Sequence, residues 1–217
     1  MKKTSFLLFV VALFIATIAF SQEGEKNRMR FKLDLNLGSA TFFDLSGPYT
    51  FFPTNYSNIG YTSIALGIKS KEFDGKAIGL DLAVDQYGFG DNIYSYGIRE
   101  RNPLRNFKIN GIAYKNITEN LSWGLFVGAG LLHSKAEINV NNKTYKLDSR
   151  LGYALNLGLS MYYNFSGGFY FNAKINYLYG ELQKAKLPKD LSGYESNLNS
   201  GRISGGYDFS LGLTCLF

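Results

Sequence analysis

Apolar and polar residues alternate with a period of two in segment after segment of this chain. Met29, Phe31, Leu33, Leu35 and Leu37 take turns with Arg30, Lys32, Asp34 and Asn36. A helix with that order would spread its charges around its whole surface, whereas a strand sends them all to one face. The same reasoning predicts strands over 61–69, 78–85, 122–131, 151–163, 169–179 and 207–217. In the last of these Tyr207, Phe209, Leu211, Leu213, Cys215 and Phe217 form one face, and only Leu216 breaks the alternation.

A further strand is predicted over 105–116, where Phe107 and Ile109 are in phase but Ile112 and Tyr114 fall on the other face. A bulge near Gly111 is the expected cause of that slip. The total is eight strands.

The connections alternate in length. "KEFDGK", with the turn pair Asp74-Gly75, "TENL" and "NFSGG" are short, whereas the segments 44–57, 88–103 and 184–201 are long, polar and aromatic. The link around "NVNNKT" reads as a hairpin that continues the strands on either side of it. Short turns at one end and long loops at the other describe an up-and-down antiparallel sheet. No linker or repeat divides the chain, so residues 22–217 form one domain.

Residues 1–21 stand apart. Lys2 and Lys3 precede an apolar run from Phe6 to Phe20, and Ala19 and Ser21 are small, as an export signal cleaved after Ser21 requires. The run is short of the roughly 20 residues that span a bilayer. No cysteine near the cleavage site offers a lipid anchor, and the single cysteine, Cys215, has no partner for an intramolecular disulfide. Losing Lys2 and Lys3 and no acid lowers the formal charge from +6 to +4, too little for a nucleic-acid partner. Aromatics at 16% and 24 glycines favour strands over helices.

Composition of the polar face decides between a soluble barrel, apolar inside, and a membrane barrel, apolar outside. That face is glycine, alanine, serine and asparagine with a few charges of both signs, which suits a cramped interior. An eight-stranded barrel is just wide enough to be filled by its own side chains. Arg30, Lys32, Asp34, Asp81, Asp85, Lys108, Lys174 and Asp208 are then expected to form a lumen network, since buried charges must pair. On the other face, Trp123, Tyr163, Phe169 and Phe217 lie near the short turns, and Phe43, Tyr177, Tyr179 and Tyr207 near the long loops. Two ring girdles around an aliphatic band are the pattern of a transmembrane barrel.

From Arg28 to Phe217 the chain resembles the small eight-stranded outer-membrane barrels of Gram-negative bacteria, of the OmpA and OmpX type. The resemblance lies in the architecture and in the ending, where Ser210, Gly212, Cys215 and Phe217 follow the order of such barrels, with cysteine an atypical occupant of its position. It implies an all-β, eight-stranded antiparallel up-and-down transmembrane β-barrel in the cell outer membrane, monomeric, with those four residues as the signal read by the outer-membrane insertion machinery. With Phe217 as the last residue, no appended peptidoglycan-binding domain of the kind some relatives carry is expected.

Catalytic patterns are weak. His133 is the only histidine, and its neighbour Ser134 would point to the opposite face of a strand. "GLFVGAGLL" lacks the Lys-Ser/Thr of a phosphate loop, and its glycines fit lumen packing. No zinc or calcium spacing is present, so no cofactor, metal or catalytic residue is assigned. Recognition is expected in the loops. There Arg99, Arg101, Arg105, Lys184, Lys186 and Lys189 suit the phosphates of lipopolysaccharide and other outer-membrane lipids, and Tyr49, Phe51, Phe52, Tyr56, Tyr94 and Tyr96 suit a surface. The expected role is structural, adhesive or surface-interacting. A lipid-modifying enzyme using His133 and a narrow porin are the alternatives.

Overall fold

The computed structural model describes residues 29–46, 54–88, 92–94, 98–101, 103–135, 137–140, 143–146, 149–182 and 202–217. The expected export signal and cleavage site lie outside these residues, as do Lys184, Lys186, Lys189 and most of the loop aromatics.

Among the described residues twelve strands follow one another: β1 (Arg30–Ser46), β2 (Thr54–Lys69), β3 (Lys76–Gly88), β4 (Asn92–Tyr94), β5 (Ile98–Arg101), β6 (Pro103–Asn116), β7 (Leu121–Ser134), β8 (Glu137–Val140), β9 (Lys143–Lys146), β10 (Arg150–Ser166), β11 (Phe169–Leu182) and β12 (Arg202–Leu216). Eight of them close into an antiparallel barrel in the order β1-β2-β3-β6-β7-β10-β11-β12 and back to β1. These strands are the eight predicted from the alternation, most of them lengthened at the loop end and β10 chiefly at the short-turn end.

The barrel strands run 13 to 17 residues. A tilted membrane strand needs roughly 9 to 11, so the barrel spans a bilayer and extends beyond it. Its outside is apolar: Leu37, Leu66, Leu82, Val127, Leu157, Phe209 and Leu211 are among many large exposed side chains, Leu37 at 69%. A continuous apolar exterior of this kind is a lipid-facing surface, since in water it would drive association. Rings flank it. Phe31, Tyr163, Phe165 and Phe171 are exposed near the short turns, and Tyr153, Tyr179 and Tyr207 near the long loops.

Closure of the seam uses the two ends of the chain's barrel segment. β1 pairs β12 from Lys32↔Leu216 to Ser46↔Arg202 without a register shift. At its end the Phe31 amide donates to the Phe217 carbonyl (2.8 Å), the Phe217 amide donates to the Phe31 carbonyl (3.0 Å), and the two rings stack at 6.1 Å.

The turn between β2 and β3 forms as the Asp-Gly pair dictates. Asp74 and Gly75 both have positive φ, 51° and 67°, and Phe73 and Lys76 exchange two backbone hydrogen bonds across them. Two left-handed residues give a turn whose twist matches that of the flanking strands.

Two expectations are corrected. No bulge interrupts β6, whose register with β3 and with β7 is continuous through Gly111. Ile112 and Tyr114 are in phase with Lys108 and Asn110 and point into the lumen, where both are buried. The apparent slip marks a lumen that changes from polar to apolar along its axis. The segment around "NVNNKT" also does not continue the barrel strands. It forms β8 and β9, and β8 pairs with β5 from the preceding long loop, giving a separate antiparallel sheet in the order β4-β5-β8-β9. Pairing with another loop satisfies backbone groups that a free hairpin would leave to water.

Candidate functional site: the filled lumen and its two mouths

Inward positions are the even ones on β1, β6, β7, β10, β11 and β12 and the odd ones on β2 and β3, and they stack into layers. Toward the long loops, Phe42, Ile59, Leu104, Leu132, Leu178 and Leu182 pack with Tyr61 and Tyr87 into an apolar cluster. Toward the short turns, Ala77, Ile112, Tyr114, Phe126 and Tyr162 form a second one, with Tyr170 against it. The charges lie between them.

Seven of the eight charged residues expected in the lumen fall into two groups there. In the first, Lys32 Nζ lies 2.5 Å from Asp81 and 3.2 Å from Asp34, while Lys174 Nζ reaches the same Asp34 oxygen at 2.5 Å. Lys32 also donates to the Tyr114 hydroxyl at 2.9 Å and stands over the Tyr114 and Tyr162 rings. Its side chain is 1% exposed and that of Asp34 is fully buried. Burial at this depth is tolerable because each lysine faces a carboxylate and the ring faces add attraction for the cation.

In the second group Lys108 pairs with Asp85. The Tyr61 hydroxyl donates to Asp85 at 3.0 Å, and the Tyr87 hydroxyl and the Asn176 amide donate to Asp208 at 3.1 and 2.8 Å. Asp208 is thus held by neutral donors. An asparagine contact, Asn106 to Asn156 at 3.1 Å, completes the layer. The space left is small. A void of about 20 Å³ beside Asp81, Asn110, Asn176 and Asp208 has room for one water molecule.

Arg30, the eighth residue, stands apart at the short-turn mouth. There the barrel opens into a cavity of about 660 Å³ lined by Arg30, Lys69, Glu72, Asn116, Asn120 and Tyr170 among others. Its rim is braced. Glu72 accepts from Lys69 at 2.7 Å through one oxygen and from the Asn116 amide at 3.0 Å through the other. The Asn116 backbone amide donates to the Gly75 carbonyl, and that of Asn164 to the Asn120 carbonyl, so the short turns are tied together. Partial burial opposes ionisation of Glu72, but the Lys69 hydrogen bond and charge outweigh it and hold the carboxyl below its ordinary value.

Of the four residues of the expected assembly signal, Ser210 and Gly212 face the lumen. A Cβ on Gly212 would collide with the Leu35 carbonyl of β1, so the residue sets how closely the seam can approach. Cys215 and Leu33 sit opposite each other on the lipid side of the seam, yet both are covered. Phe217 forms the closing contact with Phe31.

His133 lies on the outer side of β7, opposite Arg105 of β6 and Leu151 of β10, while Ser134 is buried in the lumen. Adjacent strand positions thus separate the base from the hydroxyl, as the sequence implies. Among the described residues no group of three or more His, Cys, Asp or Glu side chains is placed to hold a metal ion. The lumen tyrosines were not singled out from the sequence. The available clue was parity, since Tyr61 and Tyr87 share the phase of Ser63 and Asp85.

No protein-family model and no curated protein matches the chain. Solved structures do match in fold. A major outer-membrane protein from Thermus thermophilus aligns with a TM-score of 0.55 at 11% identity, over 87% of this chain and 99% of that one. Ail, the attachment invasion locus protein of Yersinia pestis, aligns with a TM-score of 0.49 at 14% identity, over 88% and 99%. Neisserial surface protein A aligns with a TM-score of 0.44 at 11% identity, over 87% and 97%. At these identities the likeness is one of architecture: the fold is that of the bacterial outer-membrane β-barrels.

Proposed function

We propose that this outer-membrane barrel is a non-enzymatic, monomeric scaffold that works through its long loops, in adhesion or another surface interaction. The observation that carries the reading is the contrast between the two parts of the molecule. The lumen is occupied by paired charges between two apolar layers, which suits a rigid support. The strand segments β4, β5, β8 and β9 of the loops between β3 and β6 and between β7 and β10, by contrast, join into a second sheet, and loops carried on a rigid frame are where recognition resides.

Short turns face the periplasm in barrels of this type and long loops face outward. Basic residues in the long loops, Arg99 and Arg101 of β5 among them, make phosphate-bearing surface lipids such as lipopolysaccharide suitable neighbours. The sequence at 210–217 suits recognition by the insertion machinery.

Replacing residues 89–102 and 135–149 with two-residue turns tests the reading in cells displaying equal amounts of folded barrel. Attachment of those cells to immobilised host or abiotic surfaces is expected to fall, while heat-modifiability of the barrel remains. Unchanged attachment would overturn the proposal.

A further inference from the structure

The cavity at the short-turn mouth takes no part in the loop-based function, yet it has the size and the lining of a binding site. Ligand pockets commonly measure about 300–1,000 Å³, and this one is about 660 Å³. Its chemistry narrows the occupant. Arg30, Lys69 and Lys71 are opposed by Glu72 and Glu119, so neither a strong anion nor a strong cation is favoured. Apart from Leu121 and Tyr170, the rest of the lining is Ser70, Asn116, Thr118, Asn120 and Ser122, groups that offer both donors and acceptors. Tyr170 adds a half-buried ring, packed on the apolar cluster beneath.

We propose that the short-turn mouth of the barrel binds a short neutral glycan, one or two sugar rings long. Sugar hydroxyls both donate and accept, which matches a lining of mixed polarity. The less polar face of a pyranose ring suits an aromatic floor such as Tyr170. The site is preorganised, because a fixed acceptor avoids the cost of ordering a side chain on binding. Glu72 is such an acceptor: Lys69 and Asn116 hold both its oxygens in place and leave lone pairs for a ligand hydroxyl.

Two sources share this chemistry, an N-acetylated wall glycan and a free oligosaccharide. The placement of the cavity on the periplasmic side rests on the orientation given under Proposed function. Binding in micelles does not, so the two readings fail separately.

The test is a titration of the isotopically labelled chain, in phosphocholine micelles free of sugar headgroups, with di-N-acetylchitobiose, maltose and inorganic phosphate, followed by backbone amide resonances. Saturable shifts confined to the lining of the mouth, residues 69–72 and 116–122 with Arg30 and Tyr170, are expected with a disaccharide. Preference for the first sugar would identify the wall source, and preference for maltose the free one. Glu72→Gln and Tyr170→Ala should each weaken binding about tenfold or more, the scale of one charge-assisted hydrogen bond or one ring contact. Arg105→Ala, at the opposite end of the barrel, should leave it unchanged. No saturation by either sugar, saturation by phosphate alone, or affinity that survives both mouth substitutions would overturn the proposal.

Discussion

Asp34 holds two lysines on one carboxylate oxygen in the middle of the lumen. Replacing it with asparagine keeps the volume and removes the charge, leaving Lys174 without its partner and Lys32 with Asp81 alone. Breaking a buried pair from one side costs about 3–5 kcal/mol. Asp34→Asn is therefore expected to unfold at clearly lower urea concentration in lipid vesicles, and a double replacement of Asp34 and Lys174 by apolar residues to recover part of the loss. At the mouth the sign of the pH effect follows from Glu72. Its folded value is lowered, so its stabilising contribution is complete above the ordinary carboxylate value and disappears as pH falls through the lower folded one. The effect is modest, because Glu72 is largely exposed. Stability measured from neutral to acid pH should show a smaller acid loss in Glu72→Gln than in the parent chain. Charge and parity made Lys32, Asp34, Asp81 and Lys174 visible in the sequence, whereas Glu72, in a short turn, was not singled out. Which lysine meets which aspartate was not visible, because partners such as Asp34 and Lys174 are 140 positions apart.

Among the elements, β12 carries the most demanding position. The residue that follows it, Phe217, is bonded through both backbone groups to Phe31 and stacked on its ring, so the end of the strand closes the barrel. Deleting Phe217, or replacing it with aspartate, is expected to reduce the yield of heat-modifiable barrel in native membranes well below that of the same change at Phe73, an exposed ring in a short turn. Equal yields would remove the special role of the ending. Strand β6 shows the limit of reading by period alone. Alternation identified the strand but mistook a change in what fills the lumen for a change of face, since an inward Ile112 and an outward Ile109 look alike in one dimension. The long loops show the same limit from the other side. β5 and β8 pair only because the barrel brings two distant connections together at one mouth.

For the whole molecule, the layered lumen predicts how the barrel behaves as a conduit. Among the described residues two apolar clusters and two charged groups fill it, and the void at the charged layer is about the size of one water. Planar bilayers containing the purified protein are expected to show no stable ionic conductance above the lipid baseline. Replacing Phe42 and Leu178 together with alanine should open the outer layer before it opens the inner one, still without a continuous path. A large stable conductance of the parent chain would contradict the filled lumen.

Alternation and turn chemistry were enough to give the number of barrel strands, their order, which face of each strand except β6 is apolar and which end has the short turns. These are local properties, set by a two-residue period and by turn pairs such as Asp74-Gly75. The pairing of the lumen charges, the inward aromatic layers, the second sheet over the long-loop end and the cavity at the other emerged only in three dimensions. Each of these depends on closure, which fixes the stagger of eight strands around a common axis and so brings together side chains that no local pattern connects.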